Sequence, residues 1–287
     1  MSSSLKLPMV HRQCLWSPIP NLITVPGFRT LKPGGSQFTL KPTQVRDWPN
    51  FTREIKELLG PCCGKYEAFV PVIPREVFGV ANELGVQGRF VNNALHPVGE
   101  IANLLRLGVC FGDPQYGINR RQDEIKKGKK RKHGAQKTDG VKGKLVPDLV
   151  LVDGKTHAIR VLGEVKTFWA FTPKKHQTWH EFICDKLGQL ARYMDDHYTR
   201  YGFFTIYEYT WFVKRIDDTH FAMSPPISTT AQSSANSVSL RECLLAIALR
   251  ASDDRASYYG TRHGSKLTVR GYRPMRIDRR VRLKRAQ

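Results

Sequence analysis

No stretch of this 287-residue chain comes near the roughly 18 consecutive apolar residues that a membrane-spanning helix requires. Nor does Met1–Val10 carry the apolar block that opens a secretory leader, so an unsecreted, intracellular chain with no membrane partner is expected. Cysteine is sparse and badly spaced for metal. Cys14, Cys62, Cys63, Cys110, Cys184 and Cys243 form no CxxC pair, and the adjacent Cys62–Cys63 cannot offer zinc-ligand spacing. Reduced, partly buried thiols are expected, and a zinc finger is a poor source for the positive charge. Acidic residues are also short, at 25 Asp+Glu against 46 Lys+Arg, a net charge of +21. That imbalance points to a polyanion, either nucleic acid or an anionic membrane surface. A membrane surface is the weaker choice, because neither a lipidation motif nor a clear basic amphipathic helix is present.

What is there begins with ordinary globular content: 40% hydrophobic residues suffice for one large domain or two small ones. The charge is concentrated. Residues 119–144 carry net +8 and residues 262–287 carry net +9, which leaves about +4 for the other 235 residues. A nearly balanced body with a basic insertion and a basic C-terminal tail suits phosphate-gripping arms. In the insertion, Lys126, Lys127, Lys129, Lys130, Arg131 and Lys132 form a run that also fits a nuclear-import signal, so a nuclear location is expected. With almost no apolar residues, that segment is expected to be disordered. In the tail, Arg279, Arg280, Arg282, Lys284 and Arg285 are the densest basic stretch, with Tyr258, Tyr259 and Tyr272 upstream able to stack on bases.

Residues 1–65 read as an N-terminal arm with Pro-Gly turns at Pro26-Gly27 and Pro33-Gly34-Gly35, and a short helix over Asp47–Leu59 with Asp47 as its cap. Residues 66–251 read as the main domain, and residues 252–287 as the tail. Within the domain the pattern predicts a strand over Tyr66–Ile73, a helix over Arg75–Leu84 closed by Gly85, and a helix over Pro97–Leu107. It then predicts strands over Leu145–Val152 and Ala158–Phe168 and a helix from Trp179 to about Tyr198. Strands follow at Phe203–Thr210 and Trp211–Ile216, a loop at Ser224–Ser239, and a last helix over Val238–Ala251.

The chemistry sits in Val146-Pro147-Asp148-Leu149-Val150-Leu151-Val152 and Gly163-Glu164-Val165-Lys166. Glu164 and Lys166, two apart on a strand, share a face, and Val165 points the other way into the core. Two clustered carboxylates are costly unless a cation neutralises them, and oxygen ligands of this kind suit Mg²⁺ or Mn²⁺. A neighbouring lysine orients or deprotonates the attacking water, which together is equipment for phosphodiester hydrolysis. Two registers bring the carboxylates to one face. Either Asp148 lies opposite Glu164 with a loop over 153–159, or a tight Asp153-Gly154 turn is combined with a bulge at Gly163.

Pro147-Asp148 followed by Glu164-x-Lys166 resembles the PD-(D/E)xK signature of restriction-endonuclease-like nucleases. Gln189-Leu190-Ala191-Arg192-Tyr193 resembles the QxxxY helical motif of the RecB-like branch, and on a helix Gln189 and Tyr193 reach the same side. The aromatic strands and the Ser-Leu-Arg-Glu-Cys-Leu helix also look similar to fungal proteins with such a domain. The resemblance covers about residues 96–216. It implies an α/β (α+β) restriction-endonuclease-like core, a mixed central sheet flanked by helices. It implies Asp148 and Glu164 as metal ligands with Glu100 a third carboxylate, His96 near the metal, Lys166 on the water, and Gln189 and Tyr193 shaping the site. The expected function is Mg²⁺-dependent hydrolysis of nucleic acid, with DNA the expected substrate. A non-catalytic nucleic-acid-binding protein that keeps the fold is the alternative. His176 and His180 also share a helix face, but without a third ligand nearby they read as solvated residues.

Overall fold

The β-rich runs between Leu149 and Arg215 form the middle of a mixed sheet, and the periodic apolar segments pack as helices on its two faces. A computed structural model describes residues 7–30, 38–60, 69–72, 75–117, 146–259 and 278–279. The basic insertion with its Lys126–Lys132 run lies outside the described residues. So do most of the tail (Arg280, Arg282, Lys284 and Arg285 included), the Cys62–Cys63 pair, the Pro33-Gly34-Gly35 turn and the start of the Tyr66–Ile73 strand.

In chain order the strands are β1 (Leu7–Val10), β2 (Phe38–Thr39), β3 (Val45–Asp47), β4 (Phe69–Val72), β5 (Val109–Gly112), β6 (Leu149–Asp153), β7 (Ile159–Val165), β8 (Tyr201–Thr205), β9 (Tyr209–Arg215), β10 (Phe221–Met223), β11 (Ile227–Ser228) and β12 (Asp278–Arg279). The helices are α1 (His11–Trp16), α2 (Phe51–Leu59), α3 (Glu83–Phe90), α4 (His96–Leu104), α5 (Trp179–His197), α6 (Leu240–Ser252) and the single turn α7 (Asp254–Ser257). The main sheet has the order β3-β10-β9-β8-β7-β6-β5, with β11 on β9. Strands β5, β6 and β7 are successively antiparallel, β7 and β8 are parallel, and β9 returns antiparallel to β8. The parallel step needs a crossover, and α5 supplies it.

Alternation along the strands divides the core. Leu149, Leu151, Val161, Val165 and Phe203 face α1, α2, α3, α4 and α6, while Val150, Val152, Leu162 and Phe204 face α5. Glu164, Lys166 and Asp148 fall on the alternation of the α5 side. The last central helix, α6, starts on a capping box: Ser239 Oγ accepts from Glu242 N–H, and the Glu242 carboxylate accepts from Ser239 N–H.

Several expectations are corrected. Of residues 1–65, read as an arm with a short helix that packs only in part, Cys14, Leu15, Phe51 and Ile55 are buried, and β3 pairs in parallel with β10. Asp47 ends β3 instead of capping a helix; Asn50, with φ of 60°, precedes α2. No helix covers 75–82. The helix starts at Glu83, where the apolar pattern had it ending, because the Asn82 side chain caps it by accepting from Gly85 N–H at 2.8 Å. From there it runs through a π-helical stretch, Val91–Leu95, directly into α4. The two β6–β7 registers are combined in one. Leu149 faces Gly163 and Leu151 faces Val161, as the first register requires, but a bulge at Arg160 sets Val152 opposite Ile159 and shortens the turn.

Candidate active site

Asp148 stands immediately before β6, and Glu164 and Lys166 stand at the end of β7 beside it. Backbone pairing holds the two ends together: Asp148 N–H donates to the Gly163 carbonyl at 3.2 Å. The side chain adds a second tie, since Val165 N–H donates to Asp148 Oδ2 at 2.8 Å. Gly163 lacks a Cβ where the ring of Phe203 lies close, so a side chain there would push β7 away.

The Lys166 ammonium is the centre of the cluster. Its Nζ is 2.6 Å from Glu164 Oε1, 3.2 Å from Glu83 Oε1 and 3.9 Å from Asp148 Oδ2, and it donates to the Val165 carbonyl at 2.9 Å. Three carboxylates therefore face one ammonium. Glu164 is 0% exposed; Lys166 is the close polar neighbour of its Oε1, and its Oε2 has no hydrogen-bond partner among the described residues. Burial pushes the Glu164 carboxyl up to about 8; the Lys166 charge offsets this in part, and the Asp148 charge adds to it. Burial likewise raises Asp148, against the pull of Lys166 and of the Val165 N–H. Burial alone would lower Lys166, but the charges of Glu164, Asp148 and Glu83 outweigh it and the ammonium is held above its ordinary value.

Helix α5 brings the QxxxY pair to the same place. Gln189 Nε2 donates to Tyr193 Oη at 2.7 Å, and Tyr193 Oη donates to the Val146 carbonyl at 2.8 Å, two residues before Asp148. Burial and the Glu164 charge raise the Tyr193 hydroxyl above its ordinary value, so it stays a donor. Both residues thus hold the entry to β6 and reach Asp148 through the backbone.

Helix α3 supplies what sequence reasoning missed. Glu83 is the third carboxylate of the cluster, and Gln87, one turn later, donates to the Asp148 carbonyl at 2.8 Å. The sequence carries a faint trace of it, Glu83 and Gln87 four apart behind Asn82, but that spacing alone does not point to the cluster. Glu100 and His96, the residues expected to complete the metal site, are exposed on α4 and line a cleft of about 520 Å³ that also touches Gln87 and Leu149. Among the described residues, neither hydrogen-bonds nor pairs with Asp148, Glu164 or Lys166. His176 is elsewhere, and His180 approaches the Pro42 carbonyl at 3.5 Å and Cys184 Sγ at 3.6 Å. Cys14, Cys184 and Cys243 are buried and unpaired, and Cys110 is exposed.

The donor chemistry fits a hard divalent cation: carboxylate oxygens, an orphaned buried Glu164 Oε2, and excess negative charge. The side chains are gathered on the ammonium, however, and no group of three or more His, Cys, Asp or Glu among the described residues is arranged as a ligand set. No helix of the described residues is long and apolar enough to cross a membrane. Comparison with known proteins finds no matching family model, no matching curated protein and no matching solved structure.

Proposed function

We propose that this chain is a metal-dependent nuclease with a restriction-endonuclease-like core, hydrolysing nucleic-acid phosphodiesters, DNA first among them, at Asp148, Glu164 and Lys166. The observation that carries the reading is the convergence of a wholly buried Glu164 carboxyl, paired with Lys166 through Oε1 and with Oε2 left without a partner among the described residues, with Asp148 at the adjoining ends of β6 and β7. Structural proteins seldom retain such a group, because it costs stability unless a function uses it. The succession β6, β7, α5, β8 in a mixed sheet, with Gln189 and Tyr193 on α5 beside the strand ends, supports the same reading.

Asp148 and Glu164 would hold Mg²⁺ or Mn²⁺, with Glu83 the nearest further carboxylate. The ion would offset charge on the phosphoryl oxygens and lower the pKa of the attacking water. Lys166, released from Glu164, would orient that water or steady the charge that develops on the phosphate. The basic run 126–132 and the tail would add sequence-independent affinity and, in the first case, nuclear import. Purified protein should cut circular or linear DNA, or RNA, with Mg²⁺ or Mn²⁺ and stop with EDTA. Asp148→Ala and Glu164→Ala should abolish cutting at equal folded fraction. Near-wild-type turnover in both would sink the assignment.

One feature favours a second reading, a nucleic-acid-binding protein that keeps the fold without catalysis. Lys166 is engaged by Glu164, Glu83 and the Val165 carbonyl at once, which closes the cluster on itself. Binding without cleavage in that same assay selects it.

A further inference from the structure

Four of the five most exposed large apolar side chains among the described residues are Phe28 (78%), Leu84 (74%), Val77 (61%) and Phe78 (57%). They lie on two segments, 23–30 and 77–84, that backbone hydrogen bonds tie together. Val80 N–H donates to the Ile23 carbonyl at 2.9 Å, and Thr30 N–H donates to the Ala81 carbonyl at 2.8 Å. The indole N–H of Trp169 donates to the Thr30 carbonyl at 3.0 Å, which brings the residues just past Lys166 to the same strip. Concentrated exposed apolar surface of this kind marks a binding surface more often than an accident.

Guanidinium groups lie on the rings of this strip. Arg29 is 5.4 Å from the ring centroids of both Phe168 and Trp169, and Arg89 is 5.8 Å from that of Phe78. Both are held in place, Arg29 by Thr24 Oγ1 at 2.5 Å and Arg89 by Glu76 at 2.7 Å. Guanidinium planes on aromatic rings, Arg89 held on Glu76, give the strip faces for flat apolar groups, and the basic segments 119–144 and 262–287, which hold most of the +21, supply the chain's attraction for a polyanion that carries such groups. A duplex hides its base faces in the stack, whereas a single strand offers them. The strip also adjoins the cluster: Leu84 follows Glu83, which pairs with Lys166, and Phe168 comes two residues after Lys166.

We propose that this strip, with Phe28 and Phe78 as its exposed rings and the partly buried Trp169 at its inner edge, is a stacking platform for unpaired bases, so that the strand presented to Lys166 and its carboxylates is single-stranded nucleic acid. The inference rests on the nuclease reading and names the form of its substrate. The test is equilibrium binding in EDTA, read by anisotropy of labelled oligothymidylate, oligouridylate and a blunt duplex, so that no cleavage is required. Phe28→Leu combined with Phe78→Leu keeps the apolar bulk and removes the π faces. It should weaken single-strand binding by about tenfold or more and duplex binding by no more than about twofold. The two single-strand arms compare DNA with RNA. Equal weakening on single strand and duplex, no weakening on either, or a wild-type preference for duplex would each overturn the platform. If the double variant melts early, Phe28→Leu alone, at the most exposed of these positions, carries the same comparison. Absence of Mg²⁺-dependent cutting by the wild type would instead count against the nuclease reading and leave the binding result intact.

Discussion

Removing the Lys166 ammonium would leave the buried Glu164 carboxyl without an ion-pair partner among the described residues, because Lys166 is the positive group set against it there. Lys166→Ala is therefore expected to act twice. It should lower kcat by about a hundredfold or more while DNA affinity changes little, since one group at the reacting centre outweighs one phosphate contact among many. It should also lower the melting temperature in EDTA, with part of the loss regained in Mg²⁺ if Glu164 takes a cation. An effect confined to KM would mean that Lys166 only grips phosphate. Glu164 sets a pH dependence whose sign follows from its raised value. Between its ordinary 4.5 and about 8, the folded protein keeps a proton that the unfolded chain has released. Its contribution to stability is full below the lower value and is lost as pH rises through the upper one. Melting in EDTA should therefore fall with rising pH across that interval, and Glu164→Gln, which titrates nowhere in it, should lack this component. An identical slope in Glu164→Gln would assign the dependence to other groups.

At the scale of elements, α5 and α3 clamp the entry to β6 from opposite layers. Tyr193 donates to the Val146 carbonyl and Gln87 to the Asp148 carbonyl, so Asp148 is placed through its own backbone. Tyr193→Phe removes one donor and leaves a carbonyl short of its partner. We expect a stability loss of about 1 kcal/mol in urea denaturation. We also expect a kcat about tenfold lower at little-changed KM, from misplacement of Asp148. A stability loss with unaltered kcat would make Tyr193 structural only. These clamps mark the boundary of what was legible. The strand face of Glu164 and Lys166 follows from period-two alternation, and the Gln189–Tyr193 side from the helical period, so both could be read. Glu83 could not, because a Glu in the first turn of a helix ordinarily faces solvent. Its helix was also hidden: Gly85 and Gly88 lower helix propensity where α3 begins, and Gly85 looked like a terminator. Packing overrides that preference, with Val86 and Phe90 buried and Asn82 closing the end. The bulge at Arg160 escaped for a related reason. Its Arg160 side chain reaches Asp153 across the hairpin at 2.7 Å and the distant Ser257 at 3.1 Å, and no local pattern announces the second of these.

On the nuclease reading, affinity and chemistry would occupy different parts of the whole molecule. Most of the net charge lies in residues 119–144 and 262–287, whereas the carboxylate–lysine cluster is built from Glu83, Asp148, Glu164 and Lys166. Tyr258 and Tyr259, at the start of the tail, pack on the body, and among the described residues further along the tail a short strand joins it again. The backbone of Asp278–Arg279 pairs with Phe38–Thr39, and that strand lies against α5 where Gly188 has no Cβ to keep it off. Deleting 262–287 should therefore give two separable readouts. Loss of nine net positive charges should flatten the dependence of binding on salt, because each phosphate contact on duplex DNA contributes a slope of about −0.9. The weakening should be alike for all sequences, and cutting at saturating DNA should persist, since no residue of the cluster is removed. Loss of the β2–β12 pairing should lower the melting temperature slightly, with no bearing on the salt slope. Neutralising the run 126–132 should subtract a smaller, independent share of the slope. An unchanged slope after truncation would assign the tail to a partner other than the nucleic acid. A chain that no longer folds would mean that the segment's union with β2 is part of the core's support, and the charge argument would then be tested by Arg→Gln changes within the intact tail.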